Sequence, residues 1–226
     1  MRTYVSTLGF HETRVTRPVI KHGIGEGDRV VLIRPASEGS EGRADAAVGY
    51  VEDMVEEIEP GASVAVETVE TGRFETTVLQ CSEVLTAVDE DRELVINFGG
   101  GAREVLLPLM VAAVLHAPLV DKSFQYTDVD QEVETLSIPD LTARIPEKTH
   151  PTFRLVADAG GEQNLSELTT QSSRTKSTVV RHLEALEDAG VVTTRTVENS
   201  KHVSLSPTGR FRNRAMCSRD GVDAEE

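Results

Sequence analysis

Strand and helix patterns alternate through the first 140 residues, and this alternation limits the chain to a small number of folds. Short β-branched runs such as "DRVVLIRP" (28–35) and "ELVINFG" (93–99) are separated by longer segments, as in 42–59, whose apolar residues recur at helical spacing. A repeated β–α–β order predicts a parallel sheet that is covered by helices on both faces. The sequence therefore predicts a Rossmann-like α/β fold for residues 1–140.

The pattern changes after this part of the chain. Residues 141–151 contain two prolines and little apolar periodicity, which predicts a linker. Over 152–216 the pattern runs through two helices, a turn, a long helix, a hairpin and a last helix, which is the order of a winged helix-turn-helix domain. The polar residues 217–226 are predicted to form a disordered tail.

Charge is distributed unevenly between the two predicted domains. The net charge of the whole chain is −15, which by itself argues against a nucleic-acid partner. Residues 1–150 carry 27 acidic and 13 basic side chains, however, whereas residues 151–219 carry 7 acidic and 10 basic ones. The basic C-terminal third indicates a DNA-binding surface, with chance clustering as the alternative. The 18 arginines and 5 lysines in an acid-rich chain are typical of proteins from a high-salt cytoplasm.

The long helix predicted over 174–190 has two chemically different faces and ends at Gly190. Val179, Leu183 and Leu186 point to one side, while arginines and hydroxyls cluster on the other. Such a polar face suits the DNA major groove, where arginine reaches guanine edges or phosphates and short hydroxyls approach closely. The predicted DNA-contacting residues on this helix and the following hairpin are Arg174, Thr175, Lys176, Ser177, Thr178, Arg181, Arg195, Asn199, Lys201 and His202. The alternative is a solvated face on a domain that binds another protein.

A triple glycine, "NFGGGAREV" (97–105), lies where a predicted strand meets an apolar helix. Glycines at the carboxyl end of a parallel strand expose backbone N–H groups beside the positive end of a helix, which attracts anions and phosphate above all. The ends of the first two strands, 8–14 and 34–42, are expected at the same edge of the sheet, where open α/β sheets bind ligands. The predicted ligand-binding residues, with Arg103 supplying positive charge, are Gly9, Phe10, His11, Glu12, Thr13, Pro35, Ala36, Ser37, Gly99, Gly100, Gly101, Ala102 and Arg103. The alternative is a tight turn that binds nothing.

The sequence indicates neither a known nucleotide motif nor a catalytic site. No G-x-G-x-x-G motif or P-loop lysine follows a predicted strand. The two cysteines, Cys81 and Cys217, fall in different domains and give no metal spacing. His11 and Glu12 are more simply a polar loop than a catalytic pair. We therefore predict no catalytic residues, no metal and no cofactor.

The sequence also predicts a cytoplasmic protein without a membrane span. The apolar run 105–120 has only 16 residues and contains two prolines, whereas a span needs about 20. The first ten residues are typical of a strand and not of a signal peptide.

Three segments together resemble a known family. They are "TLGFHET", "NFGGGARE" and "SELTTQSSRTKSTVVRHLEALEDAGVV". The chain is similar, over nearly its whole length, to archaeal CRISPR-associated transcription regulators of the Csa type, in which a CARF domain precedes a winged helix of the broad MarR/ArsR type. Family members show a GF-x-ET loop and a D-x-x-x-G-x-R loop. Gly101 and Arg103 match the second loop, whereas Asn97 stands in the place of its aspartate.

The resemblance implies a ligand, a partner and an assembly. It implies a homodimer that binds a cyclic oligoadenylate, most simply cyclic tetra-adenylate, across the CARF interface. It also implies double-stranded promoter DNA of CRISPR-associated genes, and so a role in antiviral defence. Two alternatives remain: a ring nuclease assisted by His11, Glu12 or Arg103, and a regulator that responds to another small anion or to none. The apolar helix 105–115 is expected either to join the dimer interface or to be deeply buried.

Overall fold

The computed structural model describes residues 1–36, 41–127 and 129–220, and the backbone alone for Glu41 and 217–220. It divides into two compact units, Met1–Ile138 and Pro139–Glu226. The predicted domain boundary at residue 140 lies close to this division.

The first unit is a Rossmann-like α/β domain, and the predicted fold class is confirmed. Its sheet has the strand order β3-β2-β1-β4-β5-β6, in which the first five strands are parallel and β6 is antiparallel to β5. Two helices cover each face. The elements, in chain order, are β1 (Arg2–Thr7), α1 (Thr13–His22), β2 (Arg29–Pro35), α2 (Glu41–Ile58), β3 (Ser63–Val69), α3 (Phe74–Thr86), β4 (Glu93–Asn97), α4 (Arg103–Leu115), β5 (Lys122–Tyr126) and β6 (Val133–Leu136).

Alternation along the central strands divides the core of this unit into two layers. Val5 and Ile96 pack with α3 and α4, whereas Tyr4 and Val95 pack with α1 and α2. Both layers are almost purely aliphatic, and burying each such side chain stabilises the fold by about 1.5–3 kcal/mol. This two-sided burial explains why the strands read as continuous apolar runs.

The strand order places a crevice between the carboxyl ends of β1 and β4. The chain leaves β1 into α1 on one face and leaves β4 into α4 on the other face. The two loops therefore diverge at the point where the strand order reverses, which is where open α/β sheets bind ligands.

The second unit has winged helix-turn-helix topology. Its β-strands form a three-stranded sheet of order β7-β9-β8, in which the two-residue strand β7 is an addition to the predicted hairpin. The elements are α5 (His150–Asp158), β7 (Gln163–Asn164), α6 (Leu165–Gln171), α7 (Lys176–Asp188), β8 (Val192–Val197), β9 (Ser200–Leu205) and α8 (Pro207–Asp220). Asn164 caps α6 by accepting a hydrogen bond from the Ser166 amide at 2.8 Å.

The predicted linker at 141–151 is wrong, because this segment is part of the second unit. Ala143 and Ile145 are buried in its core together with Phe153. The Asp140 carboxylate accepts hydrogen bonds from the amides of Thr142 (2.8 Å) and Ala143 (3.1 Å). This local turn orders the segment without the periodicity of a helix or a strand.

The tail predicted from residue 217 also differs from the structure. Helix α8 continues to Asp220, and Met216 in its third turn packs against the core of the second unit. The contact of Met216 favours the helical conformation at the start of a tail whose polar composition alone predicts disorder. Residues 221–226 of the predicted tail lie outside the described residues.

Candidate ligand cleft and nucleic-acid interface

The triple glycine between β4 and α4 is largely filled by protein. Gly99 and Gly100 are both buried. A Cβ atom on Gly99 would clash with the carbonyl oxygen of Arg14, and one on Gly100 would lie 3.1 Å from the Arg14 Cδ atom. The prediction that these two glycines leave room for a ligand is therefore wrong, because α1 occupies that room.

Gly101 and Gly9 bring the two loops together backbone to backbone. Gly101 has φ 93°, and a Cβ atom there would lie 2.9 Å from the Cβ of Thr7. A Cβ atom on Gly9 would lie 3.1 Å from the Gly101 Cα. The Thr7 hydroxyl donates to the Gly100 carbonyl oxygen and fixes the same contact. The glycines thus allow the close approach of two strand ends.

Asn97 connects β4 to both neighbouring elements. Its Nδ2 group donates to Ser6 Oγ and to the Arg14 carbonyl oxygen, each at 2.9 Å. The Arg14 carbonyl oxygen requires a donor, since a carbonyl oxygen cannot donate, whereas the Ser6 hydroxyl can donate or accept. An ionised aspartate could not donate to the Arg14 carbonyl. The asparagine therefore explains how this loop is held where the resemblance leads one to expect an aspartate.

A cleft of about 180 Å³ opens at the carboxyl ends of β1 and β4. It is lined by Gly9, Phe10, His11, Arg14, Gly101 and Ala102. Five of these are residues that the sequence predicts, whereas Arg14 is not. Arg14 is the second residue of α1, directly after the loop, but nothing in the sequence pattern shows that its backbone and side chain pack against Gly99 and Gly100.

The remaining predicted ligand-binding residues do not line this cleft, in the part of the chain that is described. Glu12 is the N-cap of α1, and its carbonyl accepts a hydrogen bond from the Val15 amide at 2.8 Å; Thr13 is the first residue of that helix. Pro35 ends β2, and the Ala36 amide donates to the Val69 carbonyl at 2.8 Å. Arg103 is exposed at the start of α4. Ser37 lies outside the described residues.

An aromatic ring and a second arginine extend the cleft. Phe10 is 40% exposed, and the Arg43 guanidinium carbon lies 4.6 Å from the centre of its ring. A cation over an aromatic face is attracted by the ring quadrupole. The pair offers a flat aromatic surface and positive charge beside the backbone of Gly9.

A larger groove of about 450 Å³ runs along β3 and α3, away from this crevice. Arg92, which lines it, donates to the carbonyl oxygens of Arg2 (3.0 Å) and Gly27 (2.7 Å) and to the Thr3 hydroxyl (2.9 Å). Arg92 therefore holds strand ends together. The groove lies where α3 leaves part of the sheet beside edge strand β3 uncovered. We therefore place the candidate site in the smaller cleft.

Within the described residues, no three histidine, cysteine, aspartate or glutamate side chains are placed to hold a metal ion. None of the helices there combines the length and apolar character that a membrane span requires.

Comparison with known families identifies the first unit. The family described as Csa3 CRISPR-associated Rossmann-like domain matches residues 2–136, more than half of the chain. The chain belongs to this family. No curated protein matches it significantly.

One solved structure adds a likeness of fold to the Csa3-type assignment. Csm6 of Enterococcus italicus, bound to cyclic hexa-2'-fluoro-hexa-dAMP, is 14% identical with a TM-score of 0.51; the match covers 84% of this chain and 50% of that one. A possible transcriptional regulator for arsenical resistance is 26% identical over 35% of this chain and 88% of its own, with a TM-score of 0.28. HlyU from Vibrio cholerae N16961 is 24% identical over 35% of this chain and 84% of its own, with a TM-score of 0.28.

The second part of the candidate site is the exposed face of α7. Helix α7 begins at Lys176 and not at residue 174, so Arg174 is exposed just before the helix. Lys176, Ser177 and Arg181 are exposed on α7 itself, while Thr178 is half-buried. Thr175 is the N-cap of α7, with its hydroxyl 3.3 Å from the Thr178 amide. Its hydroxyl is thus already used within the helix. The opposite side of α7 is core, as the sequence predicts from Val179, Leu183 and Leu186.

His182 anchors α7 and was not singled out by the sequence pattern. It is buried, and its Nδ1 atom lies 2.8 Å from the Thr152 hydroxyl of α5. Burial, followed by the positive charges of Arg174 and Arg181, lowers the pKa of His182. The neutral imidazole is therefore favoured, and protonation at acid pH opposes the packing of α7 on α5.

The wing, defined as the β8–β9 hairpin, differs most from expectation. Arg195 makes two hydrogen bonds to the Glu162 carboxylate, and His202 Nδ1 lies 3.8 Å from the same carboxylate. Lys201 Nζ lies 3.8 Å from Glu187 Oε2. Acids from neighbouring elements thus face these three side chains, and their contact with DNA stays a prediction.

The wing ends in a two-residue turn. Glu198 and Asn199 both have positive φ (48° and 65°), and Val197 pairs with Ser200. This geometry is that of a type I′ hairpin, which asparagine tolerates well. Asn199 thus has a structural role in the turn in addition to its predicted contact with DNA.

Proposed function

We propose that this protein is a homodimeric transcription regulator of CRISPR-associated genes that binds promoter DNA and responds to a cyclic oligoadenylate, with cyclic tetra-adenylate as the first candidate. The observation that carries the proposal is the cleft at the reversal of strand order in a Csa3-type domain, followed in the same chain by a winged helix-turn-helix unit. Nothing in the proposal requires a metal or a cofactor.

The chemistry of the cleft suits a nucleotide. Backbone groups of Gly9, Gly101 and Ala102 and the Arg14 side chain line it, and they match the needs of a phosphate. A base that displaces Arg43 from the Phe10 ring would stack on an exposed aromatic surface, and such stacking contributes about 1–3 kcal/mol per base in proteins that bind single strands. We retain Arg103, one residue beyond the lining, as a source of longer-range positive charge.

The size of the cleft supports a dimer. About 180 Å³ is less than the 300–1,000 Å³ or so of a pocket for a drug-sized molecule, so one cleft holds at most one nucleotide of a ring. Two clefts that face each other across a two-fold axis would hold opposite sides of a symmetric ring. Helix α4 offers an apolar surface for such pairing, since Leu107, Val111 and Leu115 are exposed at four-residue spacing.

The face of α7 supports a DNA partner. It presents arginines and hydroxyls on one side of a helix that a winged-helix core holds rigidly, and recognition helices read base edges in this way. A dimer would present two such helices, so the operator is expected to be palindromic.

Replacing Arg14 with alanine is expected to weaken cyclic tetra-adenylate binding by about 10-fold or more, because a charge-assisted contact to phosphate is lost. Isothermal titration calorimetry of the full chain measures the effect. Arg17→Ala is the matched control, since Arg17 lies one turn further along α1 and donates to the Gln131 carbonyl at 3.0 Å.

Equal losses in both variants would contradict the assignment of the cleft. Recovery of linear products from the titrated sample would instead assign a ring nuclease, and binding of other phosphates with equal affinity would assign a different anion.

A further inference from the structure

Arg195 is bound by an acid from outside the wing. Glu162 lies just before β7, and β7 pairs with β9 next to the β8 strand that carries Arg195. The guanidinium Nε and Nη2 groups both donate to the Glu162 carboxylate, the second at 2.5 Å. His202, directly opposite Arg195 in the hairpin, faces the same carboxylate. One acid thus faces both Arg195 and His202.

The two-point pairing uses the same donors that a phosphate would use. Carboxylate and phosphate both accept parallel N–H groups from the planar fork of an arginine. The pair is also exposed, with 67% of the Arg195 side chain and 31% of the Glu162 side chain accessible to solvent. Exposed ion pairs contribute little to stability and weaken with salt, so a phosphate can displace this one.

We propose that Glu162 is an electrostatic latch: it competes with DNA phosphate for Arg195 and so limits the contribution of the wing to DNA affinity. This inference rests on the proposed DNA-binding function. In the latched state the wing adds little to sequence-independent binding, and a larger share of the affinity comes from the α7 face, which reads bases. Removing the latch should therefore raise affinity for all sequences and reduce discrimination between them.

The variant Glu162→Gln tests the latch, because it removes the charge and keeps the shape. We expect it to bind promoter duplex about 3- to 10-fold more tightly at low salt, with the slope of log affinity against log salt steeper by about 0.9 for one added phosphate contact. The gain over the wild type should shrink as salt rises. Fluorescence anisotropy of the full chain over a salt series measures both quantities.

Glu198→Gln is the matched control. It removes the same charge from the exposed turn of the wing, where Glu198 has no contact to Arg195. We expect it to change affinity by less than about twofold, because it removes a screened surface charge without releasing an arginine. In an Arg195→Gln background, Glu162→Gln should have no further effect on the slope.

Three outcomes overturn the latch. Equal gains in DNA affinity for Glu162→Gln and Glu198→Gln would show that the change in net charge alone explains the effect. A gain that persists in the Arg195→Gln background would remove Arg195 from the explanation. Weaker binding by Glu162→Gln would show that the pair positions the wing for DNA. If the wild-type protein bound no duplex at any salt, the proposed function itself would fail, and the control variant would show the same absence of binding.

Discussion

Replacing Gly99 with alanine is expected to destabilise the first unit by about 3 kcal/mol and to abolish ligand binding. The new Cβ atom would meet the Arg14 carbonyl oxygen and would lie 2.9 Å from the buried Asn97 Oδ1. Both neighbours are fixed, since Asn97 itself bonds to that carbonyl. Relief requires α1 to move away from β4, and this would open the cleft that Arg14 lines.

The expected change is a fall of roughly 10 °C in the melting temperature of the first unit. Differential scanning calorimetry measures it, and titration with cyclic tetra-adenylate measures the loss of binding. Gly49→Ala is the matched control in the same unit, because nothing lies near its Cβ position in the interior of α2. We expect that change to stabilise by up to about 1 kcal/mol. Unchanged melting in Gly99→Ala would contradict the observed packing of the loop.

Replacing Arg181 with alanine is expected to lower affinity for promoter DNA by about 10- to 100-fold, the effect of losing one good base or phosphate contact pair. Arg181 is exposed on the polar side of α7, and the opposite face stays in the core. Anisotropy with the promoter duplex measures the loss. Binding of cyclic tetra-adenylate should be unchanged.

Arg73→Ala is the control for this variant. Arg73 is an exposed arginine of the first unit that contacts Glu75, so its removal changes the net charge equally. The reciprocal variant, Arg103→Ala, should lower the affinity for cyclic tetra-adenylate and leave the affinity for DNA unchanged. If Arg103→Ala and Arg181→Ala damaged the same activity, the division of labour between the two units would be wrong.

Much of the fold follows from the sequence because periodicity is a local property. The β-branched runs that become β2 and β4 are buried on both faces, so their apolar character is continuous and easily read. The break at Gly190 is equally local, since its φ of 68° ends α7 and its amide bonds to Glu187. The place of the cleft follows in turn, because it depends only on strand order and on which loops leave the central strands.

The details of the cleft do not follow from sequence, because they depend on contacts between distant segments. Arg14 lies 85 residues before Gly99 in the chain, so no spacing rule could show that its carbonyl would fill the space over that glycine. The sequence does not distinguish a glycine that leaves space for a ligand from one that leaves space for a neighbouring segment of backbone. Only the packing of α1 distinguishes them.

The wing illustrates the same limit for charge. Arg195, Lys201 and His202 indicate a phosphate-binding surface when they are counted alone. Their acidic partners, Glu162 and Glu187, come from other elements that pair or pack with the hairpin. Net charge over 151–219 therefore overstates how much positive surface is available to DNA.

The most direct test of the proposed coupling is the affinity of the wild-type protein for its promoter duplex with and without saturating cyclic tetra-adenylate. We predict a change of about fivefold or more, and an equal change in ligand affinity when DNA is saturating, because linkage between two sites is reciprocal. Calorimetry establishes that the ligand is bound in each case. An unchanged DNA affinity in the presence of bound ligand would contradict a regulator in which the β1–β4 cleft controls the winged helix.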